Sequence, residues 1–160
     1  MEQNYEVYPK NKEALYALLA EQVEAVTAEV PYLISNLSNV SALLSQAMTD
    51  INWVGFYLMI NDKLVLGPFQ GKVACVEIAA GKGVCGTAVE LDKVMLVPDV
   101  HAFPGHIACD GASRSEIVLP LHKEGNIVGV LDIDSPLPGR FTEEDKVGLL
   151  KVVDILEKII

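Results

Sequence analysis

Two apolar segments joined by a polar turn occupy residues 115–135, which read SEIVLPLHKEGNIVGVLDIDS. Residues 115–121 and 127–133 are rich in β-branched and other apolar side chains, as strands are. Glu124-Gly125-Asn126 between them has the composition of a tight turn. The stretch therefore predicts two adjacent antiparallel strands.

The rest of the sheet follows from similar patterns. Aromatic and β-branched residues predict strands at 53–60 and 63–68 with Asn61-Asp62 as their turn, and shorter strands at 74–78 and 94–97. Residues 98–113 show little periodicity and predict a long loop, which in a compact domain is usually functional or disordered. Consecutive hairpins without helical crossovers indicate an antiparallel sheet.

Helical periodicity appears at both ends of the chain. Apolar residues at three- and four-residue spacing predict helices at 11–29, from Pro31 to 47 and after Thr142, and a glycine-rich segment leads into a short helix at 87–91. We expect these helices to lie together on one face of the sheet, which is the α+β class.

The charge of the chain limits its partners. The 160 residues include 12 Lys and Arg against 22 Asp and Glu, a net charge of −10. An acidic surface does not attract nucleic acid or an anionic membrane, and no segment has the about 20 consecutive apolar residues that span a bilayer. Residues 1–6 lack the basic and apolar regions of a signal peptide. We expect a cytoplasmic protein that binds neither nucleic acid nor membrane.

Three carboxylates lie on the apolar strands. Asp132 and Asp134 are two residues apart and therefore share a face of their strand, which Val128 and Val130 should share as well. Glu116 begins the neighbouring strand. A solvated face is one interpretation, but an apolar face that turns acidic is typical of a pocket mouth. Carboxylates there would bind a cation, either an ammonium group or a metal.

The chain has three cysteines, an odd number that argues against a structural disulfide framework. Cys85 precedes the predicted short helix, whose dipole would favour a thiolate. Cys109 lies on the long loop, where a nucleophile can be exposed, and Cys75 lies on a predicted short strand. Burial as a small apolar residue is the alternative for each of them. Two such sulfurs suit a dithiol cycle in which one attacks and the other resolves.

Zinc binding is a competing interpretation of the same loop. His101, His106 and Cys109 are suitable ligand types, and Cys75 or Cys85 could be the fourth. The closely spaced ligand pairs of structural zinc sites are missing, so we favour a site without metal.

Six blocks of sequence resemble the free methionine-(R)-sulfoxide reductases, a GAF-domain family. They are 52–57 (NWVGFY), 66–71 (LGPFQG), 81–88 (GKGVCGTA), 98–110 (PDVHAFPGHIACD), 113–117 (SRSEI) and 131–136 (LDIDSP). The resemblance implies one GAF-like domain over residues 1–160 with a six-stranded antiparallel sheet flanked by helices. Its N-terminal helices would occupy 10–48, the sheet and active-site loops 52–135, and the C-terminal helix 142–160.

The resemblance also implies roles for individual residues. Cys109 matches the sulfur that attacks the sulfoxide, Cys75 the usual resolving cysteine, and Cys85 a third cysteine that can join a disulfide; which of these two resolves first stays open. The family's pocket carboxylates match Glu116, Asp132 and Asp134, and its aromatic wall matches Trp53 and Tyr57.

The implied substrate is free L-methionine (R)-sulfoxide. The implied electron donor is thioredoxin, with no bound cofactor, and the family often forms homodimers. A sulfoxide sulfur becomes electrophilic when its oxygen is protonated, so we expect Glu116 or one of the aspartates to supply that proton. The other carboxylates would hold the substrate ammonium. A non-catalytic GAF module that binds a small regulator is the alternative function.

Overall fold

The computed structural model describes residues 7–107 and 109–160. The expectation that residues 1–6 are not a signal peptide lies outside these residues. The helices are α1 (Lys12–Thr27), α2 (Leu33–Ala47), α3 (Gly83–Leu91) and α4 (Glu143–Leu156). The strands are β1 (Trp53–Ile60), β2 (Lys63–Gln70), β3 (Glu77–Ala79), β4 (Met95–Val97), β5 (Ser115–Lys123) and β6 (Asn126–Ser135). No helix within the described ranges is both long and apolar enough to cross a bilayer.

The six strands form one sheet in the order β3-β2-β1-β6-β5-β4, and every neighbouring pair is antiparallel. This confirms the predicted fold class. The hairpin of β5 and β6 lies inside the sheet, and its register places Glu116 opposite Asp134 and Val118 opposite Asp132. The three carboxylates are therefore brought together by strand pairing alone.

The helices do not all lie on one face, and that expectation is wrong. Helices α1, α2 and α4 pack on one face of the sheet around a large apolar core. Helix α3 packs on the other face, where Val84, Cys85 and Ala88 join a second core that includes Trp53 and Tyr57. The reason is topological, because α3 connects the edge strands β3 and β4 and must cross the face that the other helices leave open.

Two predicted boundaries are also wrong. The third strand forms at Glu77–Ala79 instead of 74–78, so Cys75 lies in a loop and not on a strand. Helix α3 begins four residues earlier than expected, which places Cys85 in its first turn. The glycines that suggested a loop are part of this helix start. Gly83 has a φ of 61°, and a Cβ atom on Gly86 would lie 2.4 Å from the Ala79 carbonyl oxygen.

A β-bulge in β6 changes which face of the sheet its side chains reach. Leu121 pairs with Gly129 and the next residue, His122, pairs with Ile127, so Val128 is an extra residue in β6. Val128 consequently packs against the core on the α1, α2 and α4 side, whereas Val130 joins the core on the α3 side. The expectation that Val128 shares a face with Asp132 and Asp134 is wrong, because strict alternation fails at a bulge.

Candidate active site

A pocket opens on the α3 side of the sheet, between the first turn of α3, the loop before β5, and strands β1, β5 and β6. The free space between its walls, counted out into the solvent at its mouth, is about 530 Å³. Seven of the eight predicted site residues line it, namely Trp53, Tyr57, Cys85, Cys109, Glu116, Asp132 and Asp134. The eighth, Cys75, is bonded to Cys109. The structure thus brings all eight together.

The carboxylates form the acidic wall of the pocket. Glu116 and Asp132 are 6% and 5% exposed, and Asp134 is partly buried. The Cys85 sulfur lies 3.9 Å from Oε1 of Glu116, and ligand atoms of Cys85, Glu116 and Asp132 all lie within 4.8 Å of one another. Atom Oδ1 of Asp132 is buried without a hydrogen-bond partner among the described residues. An unsatisfied buried acceptor of this kind favours a ligand that donates hydrogen bonds.

Burial raises the pKa of all three carboxyl groups. Burial first, and then the charges of Asp132 and Asp134, raise the pKa of Glu116 well above its usual value. Burial also raises the pKa of Asp132, but hydrogen bonds from Glu116 and Cys85 oppose that rise. Burial and neighbouring charge thus act together on the pKa of Glu116, whereas burial and hydrogen bonding act in opposite directions on the pKa of Asp132. Burial and the charge of Asp132 raise the pKa of Asp134 well above its usual value too.

A metal is poorly suited to this wall. The sulfur of Cys85 and the oxygens of Glu116 and Asp132 are ligand types that bind cations when deprotonated. A bound cation would have to displace the protons of the Cys85 thiol and the Glu116 carboxyl, and burial raises the pKa of each well above its usual value. The zinc set considered from the sequence also loses a ligand, because the Cys109 sulfur is bonded to Cys75.

The cysteines divide into a bonded pair and a buried thiol. Cys75 and Cys109 form a disulfide with a Cα–Cα distance of 5.9 Å, and Cys109 is exposed. Cys85 is free and buried. Burial, followed by the charges of Asp132 and Glu116, raises its pKa well above the usual value. The predicted thiolate at Cys85 is therefore wrong, because burial and adjacent acids outweigh the helix dipole.

Aromatic rings form the opposite wall and support the loop that carries Cys75. The Trp53 ring stacks on Tyr57 and Phe69 with centroid distances of 5.9 and 5.2 Å. The Trp53 indole N–H donates to the Lys72 carbonyl at 3.1 Å, and the Tyr57 hydroxyl donates to the Cys75 carbonyl at 3.0 Å. The wall thus holds the backbone on either side of Val73. Phe69 had no predicted role, although it lies in a block that resembles the family.

Asn52 fixes the loop that carries Cys109. Its Nδ2 donates to Oδ2 of Asp110 at 2.9 Å and to the Ser113 hydroxyl at 3.1 Å. Oδ1 of Asp110 accepts the Ala112 amide at 2.9 Å, and the backbone N–H of Asn52 donates to the Asp134 carbonyl at 2.9 Å. The roles of Asn52 and Asp110 were not predicted from the sequence. A usable signal was the polar pair formed by an asparagine next to a core strand and an aspartate next to Cys109.

The start of α3 contributes a positively polarised edge. Lys82 precedes the helix and lines the pocket with Gly83 and Val84. The Lys82 side chain makes no capping hydrogen bond, and the first backbone N–H groups of a helix lack partners within the helix. A pocket with this edge and an acidic wall suits a ligand that carries both charges.

Fold and site together define a GAF-type domain with a redox cysteine pair beside an acidic pocket. The GAF domain pattern matches residues 18–160. The chain is 56% identical over 150 residues to free methionine-R-sulfoxide reductase of Escherichia coli (strain K12), covering 94% of this chain and 91% of the relative. The chain belongs to the free methionine-(R)-sulfoxide reductase family of GAF proteins.

Solved structures give the same result. The free methionine-R-sulfoxide reductase from Neisseria meningitidis in complex with its substrate superposes with a TM-score of 0.92 at 44% identity, covering 96% of this chain and 93% of that one. The fRMsr of Staphylococcus aureus in complex with substrate superposes with a TM-score of 0.88 at 49% identity, covering 96% of this chain and 98% of that one.

Proposed function

We propose that this protein reduces free L-methionine (R)-sulfoxide to L-methionine, with Cys109 as the attacking sulfur and Cys75 as the resolving one. One observation carries the proposal: the Cys75–Cys109 disulfide lies at a pocket whose wall holds the buried acid Glu116. A redox sulfur and a proton donor in one cavity are what sulfoxide reduction needs.

The reaction follows from these groups. The Cys109 thiolate attacks the sulfoxide sulfur while Glu116 gives a proton to the sulfoxide oxygen. The S–O bond of the substrate breaks, its oxygen is transferred to the Cys109 sulfur to give a sulfenic acid, and methionine leaves. The Cys75 thiol then attacks the Cys109 sulfur, water departs, and the disulfide forms. Two thiols have lost two electrons and the sulfoxide has gained them.

The pocket also suits a free amino acid. Asp132 and Asp134 would hold the ammonium group, and Oδ1 of Asp132 is an acceptor in need of a donor. Trp53 and Tyr57 would pack against the S-methyl group. Lys82 and the first turn of α3 would face the carboxylate. A peptide-bound methionine sulfoxide has neither charge at these positions and would leave the buried polar groups unpaired.

The remaining roles are part of the same proposal. Cys85, a buried free thiol beside the carboxylates, is the third cysteine, which can also join a disulfide. The chain acts as one domain, without a bound metal. It works in the cytoplasm as a homodimer, and thioredoxin supplies the electrons for each cycle. The exposure of Cys109 supports a protein donor, since the bond can be approached from solvent.

Separated sulfoxide epimers provide the test. Purified protein with dithiothreitol should release methionine from the R epimer and not from the S epimer. Cys109→Ser should abolish the release, while Ser45→Ala, a change at an exposed position of α2, should leave it unchanged. Activity on neither epimer, or full activity of Cys109→Ser, contradicts the proposal and favours a binding module.

A further inference from the structure

Exposed apolar side chains surround the disulfide. Val73 is 88% exposed and Val76 is 64% exposed, and they lie on either side of Cys75 in the chain. Ile107, two residues before Cys109, is 38% exposed. Val73 and Ile107 both line the pocket at Cys109, and Val76 is the exposed residue after Cys75; we call these three side chains the disulfide collar. The other large exposed apolar residues of the described chain are at least 15 residues from Cys75 and Cys109 in sequence.

Packing within the fold does not explain why these three apolar side chains are exposed. Val73 and Ile107 reach the rim of the pocket, but most of the Val73 side chain faces solvent, and Val76 does not line the pocket. Apolar side chains exposed singly need no explanation, whereas a group of them around a reactive bond indicates a contact surface.

We propose that the disulfide collar is the docking surface for the protein dithiol that reduces the Cys75–Cys109 bond, which rests on the proposed function. Thiol–disulfide exchange requires the attacking sulfur to touch one sulfur of the bond. A folded donor can bring its thiolate there only by laying the surface around that thiol on Val73, Val76 and Ile107. The fitting partner therefore carries its thiol in a flat apolar face.

Charge at the rim suits a thiolate donor. Lys72 precedes Val73 in the chain, and Lys82 lines the pocket beside the bond. Asp110 next to Cys109 is negatively charged, because the hydrogen bonds from the Ala112 amide and Asn52 and the charge of Lys72 lower its pKa. The two lysines thus offer positive charge to a donor thiolate at the rim, although the whole chain carries a charge of −10.

The exchange balances without another reactant. The donor thiolate attacks one sulfur of the pair, forming a mixed disulfide and releasing the other cysteine as a thiolate. The donor's second thiol then attacks the mixed disulfide, which frees the remaining cysteine and leaves the donor oxidised. Two electrons and two protons pass to Cys75 and Cys109.

Direct reduction of the oxidised protein tests the collar without any sulfoxide. The double variant Val73→Ser/Val76→Ser is suitable because both side chains are exposed, and Ile107 is left intact because it contacts Gly83. Oxidised wild type and variant are each mixed with excess reduced thioredoxin or with dithiothreitol, and quenched samples are counted for free thiols. We expect a rate about 10-fold lower with thioredoxin and an unchanged rate with dithiothreitol.

The matched control is Ile60→Ser. Ile60 is 50% exposed, ends β1 and does not line the pocket; it lies about 10 Å along the strand from Tyr57, which does. It should be reduced like wild type by both reagents. A double variant that thioredoxin reduces as fast as wild type overturns the proposal, as does an equal loss with both reagents or a wild type that thioredoxin does not reduce. Failure of the proposed function would instead appear as absent sulfoxide reduction with dithiothreitol.

Discussion

Asn52 and Asp110 are joined by a 2.9 Å hydrogen bond that ties the residue before β1 to the residue after Cys109. The backbone N–H of Asn52 also donates to the Asp134 carbonyl. One asparagine therefore sets the position of the loop that carries Cys109 relative to the strand that carries the aspartates. Since catalysis by a thiol depends on the direction of its approach, we expect this bridge to affect the chemical step more than binding.

Replacing Asn52 by Ala should lower kcat about 10-fold and leave KM within about 2-fold, because a hydrogen bond to a charged partner is lost and no substrate contact is. Asn52→Asp should lower kcat further than Asn52→Ala does, because a carboxylate at position 52 would then face the Asp110 carboxylate in the variant. The double variant Asn52→Asp/Asp110→Asn restores a donor and an acceptor and should recover most of the activity. Steady-state kinetics measure this, with Asn126→Ala in the exposed hairpin turn as control; no recovery in the double variant contradicts the bridge.

Glu116→Gln tests the proton donor. The glutamine keeps the volume of the side chain but has no carboxyl proton, so kcat should fall about 10²- to 10⁴-fold. Because the pKa of Glu116 is raised by burial and by Asp132 and Asp134, wild type should stay active into the neutral range and lose activity as pH rises through that raised pKa. The pH profile of kcat measures this. The exposed Glu77→Gln is the control, and a Gln variant with the wild-type profile contradicts the role.

Asp134→Asn should stabilise the fold while it weakens substrate binding. Burial and the charges of Asp132 and Asp110 raise the pKa of Asp134 in the folded state. A carboxyl of this kind contributes stability that is present below its unfolded pKa and lost as pH rises through the folded pKa. Thermal unfolding should therefore show a higher Tm for the variant at pH 8, by about 2–4 °C, and a smaller difference at pH 4. The control Asp154→Asn, a change at an exposed position, should show no such pH dependence of Tm. A Tm of Asp134→Asn below that of wild type at pH 8 would contradict the prediction.

Cys75 and Cys85 should differ sharply when replaced by Ser. Cys75→Ser removes the partner of Cys109, so each molecule should release one methionine and stop when thioredoxin is the donor. Cys85→Ser keeps a hydroxyl beside Glu116 and should still form the Cys75–Cys109 bond. Mass mapping of non-reduced peptides after one turnover distinguishes them. A Cys85–Cys109 bond in wild type would contradict the assigned pair.

Much of the fold and of the pocket follows from local sequence patterns. The alternation of Asp132 and Asp134 with Leu131 and Ile133 correctly puts both acids on one face, because β6 is regular beyond its bulge. The same rule fails for Val128, since the bulge depends on pairing with Leu121 and His122 across the hairpin and leaves no local signal.

The course of α3 and the choice of disulfide partner depend on long-range geometry. Helix α3 crosses to the face opposite the other helices because of where β3 and β4 lie in the sheet, which no property of residues 83–91 specifies. The partner of Cys109 is Cys75, 34 residues away, and sequence spacing cannot distinguish it from Cys85. The state of Cys85 likewise depends on three acids contributed by other elements.

The disulfide at the pocket has a consequence for how the protein behaves when electrons run short. Each molecule stores a single pair of electrons in Cys75 and Cys109, and using them closes the bond that blocks a second round. Without an electron donor, each molecule would reduce one molecule of sulfoxide in a burst and then become inactive. The fraction of molecules in the bonded form therefore records the balance between oxidant load and donor supply in the surrounding solution.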